Sequence, residues 1–425
     1  MIFNASNVSL INHAGTNTFI ADIAIDDDLN IEITNASMQS LTFIEKARID
    51  AEDSGVFTDD CYYKFIHPEG QNEFTGEWIL IRGIRPNFSG SISYPATISR
   101  LEIRSENIQS EKLELKLNLG SGELIKLMGY LGPRFDTRRF GVIDIRPGEN
   151  DDNCKVICCP APDMAYPECR ITEILRFCTG SDVNWISGTY GIRRFYQGPS
   201  SPLFKEKHLS PFPLDQQSAI SLFDVVSEYL IPIQDRLYSP ELDSVMNICQ
   251  AQKNVLNYRL TIGATVEYLI KKFHGNINYP ETYLASLDQA KLGVESSQID
   301  LKIKDKLFGA LENYRKVAPM QILNLMKARG LIYKKHVNAY NSIRNAGAHG
   351  DEINIAEINS FFSKANIVLD LIFRIILNGI KYNGYYYSPE ERGNIEFRSV
   401  ELPLILITQA PPDNASIAAN TAVPR

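Results

Sequence analysis

The chain is poor in the residues and motifs that carry the commonest chemistries. Its 425 residues include 6 histidines and 7 cysteines. It has no Gly-x-Ser-x-Gly nucleophile elbow, no phosphate-binding loop ending in lysine, no Gly-x-Gly-x-x-Gly turn and no His-Glu-x-x-His helix. Gly120-Ser121-Gly122 reads as a hairpin turn. Seven cysteines are too few for a disulfide scaffold in a chain of this length. Five of them gather at Cys154, Cys158, Cys159, Cys169 and Cys178, without the close-spaced pairs of a structural zinc site and without a nearby histidine. Val156-Ile157-Cys158-Cys159 reads as a buried strand in which cysteine is a small hydrophobe, with zinc left open as the alternative. No basic residue precedes an apolar run at Met1-Ile2-Phe3-Asn4-Ala5-Ser6, so no secretory signal is read there. The longest apolar stretch, Ala365–Ile380, is interrupted by Asp370 and Arg374, whereas a membrane span needs about 20 nearly uncharged residues. A cytoplasmic, reduced protein without membrane contact and without a cofactor is the expectation.

Hydrophobic residues make up 44% and charged residues 22%, which is ample for a packed core and excludes a disordered chain. The net charge of −8 excludes a surface that binds polyanions everywhere. The charge is uneven, however. Ala251–His349 holds 15 basic and 7 acidic residues, a surplus of 8 that leaves −16 elsewhere. A nucleic acid would go to that third of the chain.

Patterning divides the sequence. Residues 1–197 carry short β-type runs such as Trp78-Ile79-Leu80-Ile81 and Leu113-Glu114-Leu115-Lys116-Leu117, punctuated by Gly, Asn, Pro and Asp. A sandwich or barrel-like β region, serving as sensor or regulator, is expected there, with a short helix at Ile171–Cys178. The acidic run Asp26-Asp27-Asp28 reads as a solvated turn. Residues 198–214 are proline-rich and aperiodic, as in a linker. From 215 to 388 the period becomes helical, with segments starting near Gln216, Glu241, Asn254, Ile299, Met320 and Tyr333 and a long final helix marked by Ile355 through Ile376. The extension 389–425 holds one strand-like run, Leu402–Ile407, and a small polar tail expected to be disordered. The fold class is therefore α+β: a β-rich region followed by an all-α bundle.

One hexapeptide stands out, Arg344-Asn345-Ala346-Gly347-Ala348-His349, at the end of a helix. Asn345 and His349 are four apart and share a face, while Arg344 points about 140° from His349 on an ideal helix and reaches it through its length or a frayed last turn. Histidine exchanges protons near neutrality, arginine grips a phosphate through two hydrogen bonds, and RNA supplies its own 2′-OH nucleophile. The set suits metal-free RNA cleavage. The plain alternative is a histidine favoured by a helix C-terminus, with a surface arginine one turn earlier. Glu267 falls between apolar neighbours in Val266-Glu267-Tyr268-Leu269-Ile270, where a carboxylate is costly unless paired; an exposed helix carboxylate is its alternative. Trp78 and Trp185 read as packing residues, and His13, His67, His208, His274 and His336 show no ligand spacing.

With this motif inside an all-α, basic region before a last long helix, the chain resembles the HEPN superfamily, whose signature is arginine, usually followed by asparagine, then histidine after four to six intervening residues. More narrowly, it is similar to the ApeA-type HEPN proteins of bacterial anti-phage defence, through Phe74-Thr75-Gly76-Glu77-Trp78, Ile174-Leu175-Arg176-Phe177-Cys178-Thr179-Gly180, and Tyr258-Arg259-Leu260 through Glu267-Tyr268-Leu269. The stretch from Gln216 to Tyr382 carries the better match. The resemblance implies a metal-independent endoribonuclease acting in abortive infection, with His349 as general base or acid, Arg344 as phosphate clamp, Asn345 as positioning group and Glu267 supporting the pair. Arg259, Lys334 and Lys335 are the candidates for substrate contact. Implied partners are RNA, tRNA included, a second copy through the HEPN domain, and a phage-derived trigger at the N-terminal region. Toxins of this superfamily governed by a nucleotidyltransferase tend to carry Tyr two residues after the His; Asp351 stands there, so that mode of control is not implied. The alternative function is a non-catalytic RNA-binding or dimerisation protein.

Overall fold

The computed structural model describes residues 2–36, 62–81, 85–86, 92–118, 128–129, 131–148, 153–180, 183–197, 210–233, 239–251, 255–348 and 358–404. The chain divides into two compact units, Met1–Cys249 and Gln250–Arg425.

The first unit opens with a closed barrel. Strands β1 (Phe3–Asn12), β2 (Thr18–Ile25), β3 (Asn30–Thr34), β4 (Tyr62–Glu69), β5 (Asn72–Ile81) and β7 (Ile92–Ser105) run in the order β3-β2-β1-β4-β5-β7, and β7 returns to β3 through Ile31↔Ala96 and Ile33↔Tyr94. The two-residue β6 (Arg85–Pro86) also pairs with β7. Alternate residues point inward, because a strand's side chains change face at every step. Val8, Leu10, Ile23, Ile31, Phe65, Ile79 and Ile98 accordingly fill the lumen as a small barrel requires. Each such burial contributes about 1.5–3 kcal/mol. Gly76 faces Phe65 in the β4–β5 register, and a Cβ there would fall 2.3 Å from the Phe65 ring, so only glycine leaves room for that ring across the strand pair. The register shifts just beyond, and Trp78 takes φ 56°, a left-handed bulge residue whose indole stacks on His13 at 4.1 Å.

The 14-residue β7 outruns the barrel. Its second half pairs with β13 (Arg193–Gln197) and carries the sheet on through β12 (Asn184–Gly191), β8 (Ser110–Asn118), β11 (Asn153–Cys158), β10 (Gly141–Pro147) and β9 (Arg134–Thr137). Helix α1 (Pro167–Thr179) lies against this part with Ile171, Ile174, Leu175 and Phe177 buried; it contains the whole span read from sequence, Ile171–Cys178, and starts about one turn earlier, and Gly180 closes it at φ 63°. Buried Arg100 of β7 donates to Glu168 of α1 at 2.9 Å, which ties helix to strand. Asp26 accepts from the backbone of Asp28 and Asn30, so the acidic run is the β2–β3 turn. Trp185 is buried edge-on to Phe195.

Helix α2 (Gln216–Leu230) corrects the expected division. The helical period places it in a domain at 215–388, yet its Phe223 packs on Phe135 and Phe140, and its Glu228 accepts two hydrogen bonds from Arg139 at 2.8 Å. Its apolar stripe completes the β-rich unit. The division falls instead inside α3 (Pro240–Ala251). Residues 198–209 of the expected linker lie outside the described residues.

The second unit contains α4 (Val255–His274), α5 (Glu281–Ser296), α6 (Leu301–Tyr314), α7 (Pro319–Ala328), α8 (Lys334–Ala348) and α9 (Ile358–Gly379). Helix α9 is its axis: every residue from Val368 to Asn378 is buried, against α4 and α8. Among the described residues no helix is long and apolar enough to cross a membrane. Helices α5 and α6 pair with each other through Lys291–Glu312 at 3.1 Å and Arg315–Asp288, and neither contains a buried residue. A hairpin follows, β14 (Asn383–Ser388) with β15 (Gly393–Arg398). The expected strand at Leu402–Ile407 is not formed over its described part, Leu402–Leu404; that segment is held instead by the Asn278 N–H donating to the Leu404 carbonyl at 2.8 Å. Residues 405–425, including the expected disordered tail, lie outside the described residues.

Candidate active site in the helical unit

Helix α8 starts with its own cap. The N–H of Tyr333 donates to Nδ1 of His336 at 2.9 Å, so a side chain from the first turn satisfies a backbone donor that the helix leaves without an intrahelical acceptor. Tyr340 and Arg344 follow, one turn apart on one face. That face meets α4 at Glu267. One carboxylate oxygen of Glu267 accepts from Nε of Arg344 at 2.6 Å and from the Tyr340 hydroxyl at 3.1 Å. The carboxylate between apolar neighbours is therefore paired, and it joins the two helices.

The pair is open to solvent, with the Arg344 side chain 51% exposed and that of Glu267 41%. The Glu267 hydrogen bond and charge raise the Arg344 pKa, which fixes the guanidinium as a permanent cation. Burial, then the adjacent Glu267 charge, pushes the Tyr340 hydroxyl above its ordinary range, so it stays a donor. Arg344 carries no second carboxylate partner among the described residues. Its outer nitrogens are the ones a phosphate would meet. His349 and the side chains of residues 345–348, Asn345 among them, lie outside the described residues.

The other expected contact residues are not brought to this point. Arg259, two turns before Glu267 on α4, is buried to 7% exposure. It does not line the cleft beside Glu267 and is one of the buried residues of α4, so its place is in the helix packing. Lys335 is held by Glu390 at 2.5 Å and Glu391 at 2.7 Å, next to the hairpin turn. Lys334 is exposed, but ten residues separate it from Arg344, about 15 Å along the helix. In the first unit, Cys154, Cys158 and Cys169 are buried and Cys159 is exposed. Burial pushes the Cys154 thiol up to about 12, consistent with a thiol that packs as a small hydrophobe.

Sequence reading missed a second constellation. Asp370 and Arg374, seen only as interruptions of an apolar run, form a buried pair at 2.7 Å, one turn apart on α9. His336 Nε2 lies 3.1 Å from the same Asp370 oxygen, and the Tyr386 hydroxyl donates to the other oxygen at 2.8 Å. Arg374 also donates to the Leu331 carbonyl at 3.0 Å, and its guanidinium lies over the Tyr333 and Tyr386 rings. Burial would raise the Asp370 pKa, but the His336 hydrogen bond and the Arg374 charge outweigh it and hold the carboxyl well below the usual range.

His336, Asp370 and Glu390 are the one group among the described residues whose ligand atoms lie close enough to share a metal ion. Their hydrogen bonds do not suit one. Because His336 Nδ1 accepts from the Tyr333 backbone, the ring proton sits on Nε2, the nitrogen a metal would need. The Asp370 oxygen facing it already takes Arg374. Asp-x-x-x-Arg spacing within the apolar run was the available signal, since an isolated charge there would be prohibitive and two at i, i+4 can pair.

No protein family, curated protein or solved structure matches this chain.

Proposed function

We propose that the helical unit is a metal-independent endoribonuclease of the HEPN type, acting in bacterial anti-phage defence. Arg344 binds the scissile phosphate, Glu267 and Tyr340 hold its guanidinium in place, and Asn345 helps to position the group. His349 takes the proton of the 2′-OH as that oxygen attacks phosphorus. The 5′-oxygen departs and the cleaved strand ends in a 2′,3′-cyclic phosphate. RNA supplies the nucleophile, so the step needs no metal-activated water. Two copies facing each other through this unit would supply an acid as well as a base, and the β-rich unit would answer a phage-derived trigger.

The observation that supports this reading is the Glu267–Arg344 pair: a half-exposed arginine, steered by a carboxylate from a neighbouring helix, in the basic region of the chain. The test is cleavage of total RNA in EDTA by the wild type and by Arg344→Ala and His349→Ala. The expected result is fragments ending in cyclic phosphate from the wild type alone. Equal cleavage by the variants, or cleavage only with added metal, overturns the reading. RNA that is retarded but not shortened identifies the non-catalytic binder instead.

A further inference from the structure

Glu267 has a second neighbourhood. It lines one end of a cleft of about 610 Å³ formed by the last turns of α4, the segment after it and the connection between α6 and α7. The walls are apolar, with Ile270, Ile277, Val317 and Ile322 among them. Exposed Lys271 and Lys316 stand at the cleft and form no ion pair with the described residues. Gly275 permits this shape: a Cβ there would sit 2.3 Å from the Lys271 carbonyl, so only glycine lets the chain turn back along the cleft.

His274, the last residue of α4, also lines the cleft. It is 7% exposed, and its Nε2 has no hydrogen-bond partner among the described residues. Native proteins rarely leave a buried polar atom unmatched, and such an atom beside a cleft is a site for a ligand's hydrogen bond. Burial lowers the imidazole to about 4, so at neutral pH it is uncharged and presents one donor and one acceptor.

Apolar walls, a neutral imidazole and two lysines are the complement of a nucleotide: a base with apolar faces and a hydrogen-bonding edge, joined to a phosphate. Single-stranded RNA is read in this way, by bases turned out into such recesses. We infer that this cleft binds one nucleobase of an RNA strand, with His274 on the base edge and Lys271 and Lys316 on the adjoining phosphates. The inference rests on the proposed RNA reading for the polymer, and Glu267 connects the two places, since the same carboxylate lines the cleft and holds Arg344.

Nucleoside 5′-monophosphates have no phosphodiester to cut, so they probe the cleft separately from cleavage. The full chain is titrated by calorimetry with AMP, GMP, CMP and UMP, and with inorganic phosphate. At least one nucleotide is expected to bind at one per chain, at least tenfold more tightly than phosphate. The Lys271→Glu/Lys316→Glu double variant and His274→Phe should each weaken it at least tenfold. The lysines are at the surface, so their variant decides the matter if His274→Phe does not fold. No binding by any of the four, binding no better than phosphate, or unchanged affinity in the lysine variant overturns the inference. RNA cleavage without nucleotide binding removes the cleft and leaves the nuclease; nucleotide binding without cleavage does the reverse.

Discussion

Two carboxylate–arginine pairs of the helical unit have nearly equal length, Asp370–Arg374 at 2.7 Å and Glu267–Arg344 at 2.6 Å, and both involve the helices that pack on α9 or form it. Their surroundings differ in every other respect. Around Asp370 no buried side-chain polar atom of the described residues is left unmatched: arginine, histidine and tyrosine converge on the carboxylate, and the arginine closes on a carbonyl and two rings. Such a cluster has nothing left to offer a substrate. Around Glu267 one oxygen takes both donors and the arginine stays half in water. A saturated buried pair fixes how helices meet, while an unsaturated exposed pair aims a charge. His274 is a third case, buried like Asp370 and unsatisfied.

Breaking the buried pair should have the largest effect. Asp370→Ala leaves Arg374 charged and uncompensated, and a loss of about 3–5 kcal/mol of unfolding free energy is expected in urea titration. Arg344→Ala reverses the pattern. Stability should move by less than about 1 kcal/mol, because the pair is exposed, while RNA cleavage falls about 100- to 1000-fold, as for loss of one group that stabilises developing charge. A variant that unfolded instead would erase the distinction.

The third case is read through pH. The folded His274 titrates near 4 against an ordinary 6.5, so the unfolded chain takes up its proton first on acidification. Stability from this group is complete above pH 6.5 and is lost as pH falls from there to 4, by about 3 kcal/mol. The gap between the denaturation midpoints of wild type and His274→Phe should stay constant above that window and shift against the wild type as pH falls through it. Glu267→Gln should have the smallest effect. The amide oxygen still accepts from Arg344, so cleavage should drop about tenfold with the fold intact, which separates steering by charge from steering by hydrogen bond.

Helices with one apolar face were legible in the sequence: starts read near Gln216, Asn254, Met320 and Tyr333 fall within a residue of α2, α4, α7 and α8. Helix α5 left no such trace, because its apolar residues do not gather on one face; α6, equally unburied, keeps a periodic stripe and was legible. The β14–β15 hairpin was hidden in Tyr385-Tyr386-Tyr387, where only the middle ring is buried. Periodicity also could not say where α2 would pack, since an apolar stripe names no partner. At the site, the motif identified Arg344 from its neighbours in sequence, and the resemblance pointed to Glu267. Tyr340, 73 residues from Glu267, needed the fold. His336 and Asp370, 34 residues apart, were likewise invisible as a pair.

The α5–α6 arm has a consequence of its own. Its helices pack on each other without burying a side chain, so little free energy holds them to the rest, and they belong to the part of the chain whose amides should exchange first. The segment from Asn313 to Pro319 hangs from that arm and supplies a wall of the cleft beside Glu267. The recess thus has one rigid side, given by α4, and one compliant side, which a guest would have to still. Recognition there would favour strands long enough to repay that ordering over single letters of the same alphabet.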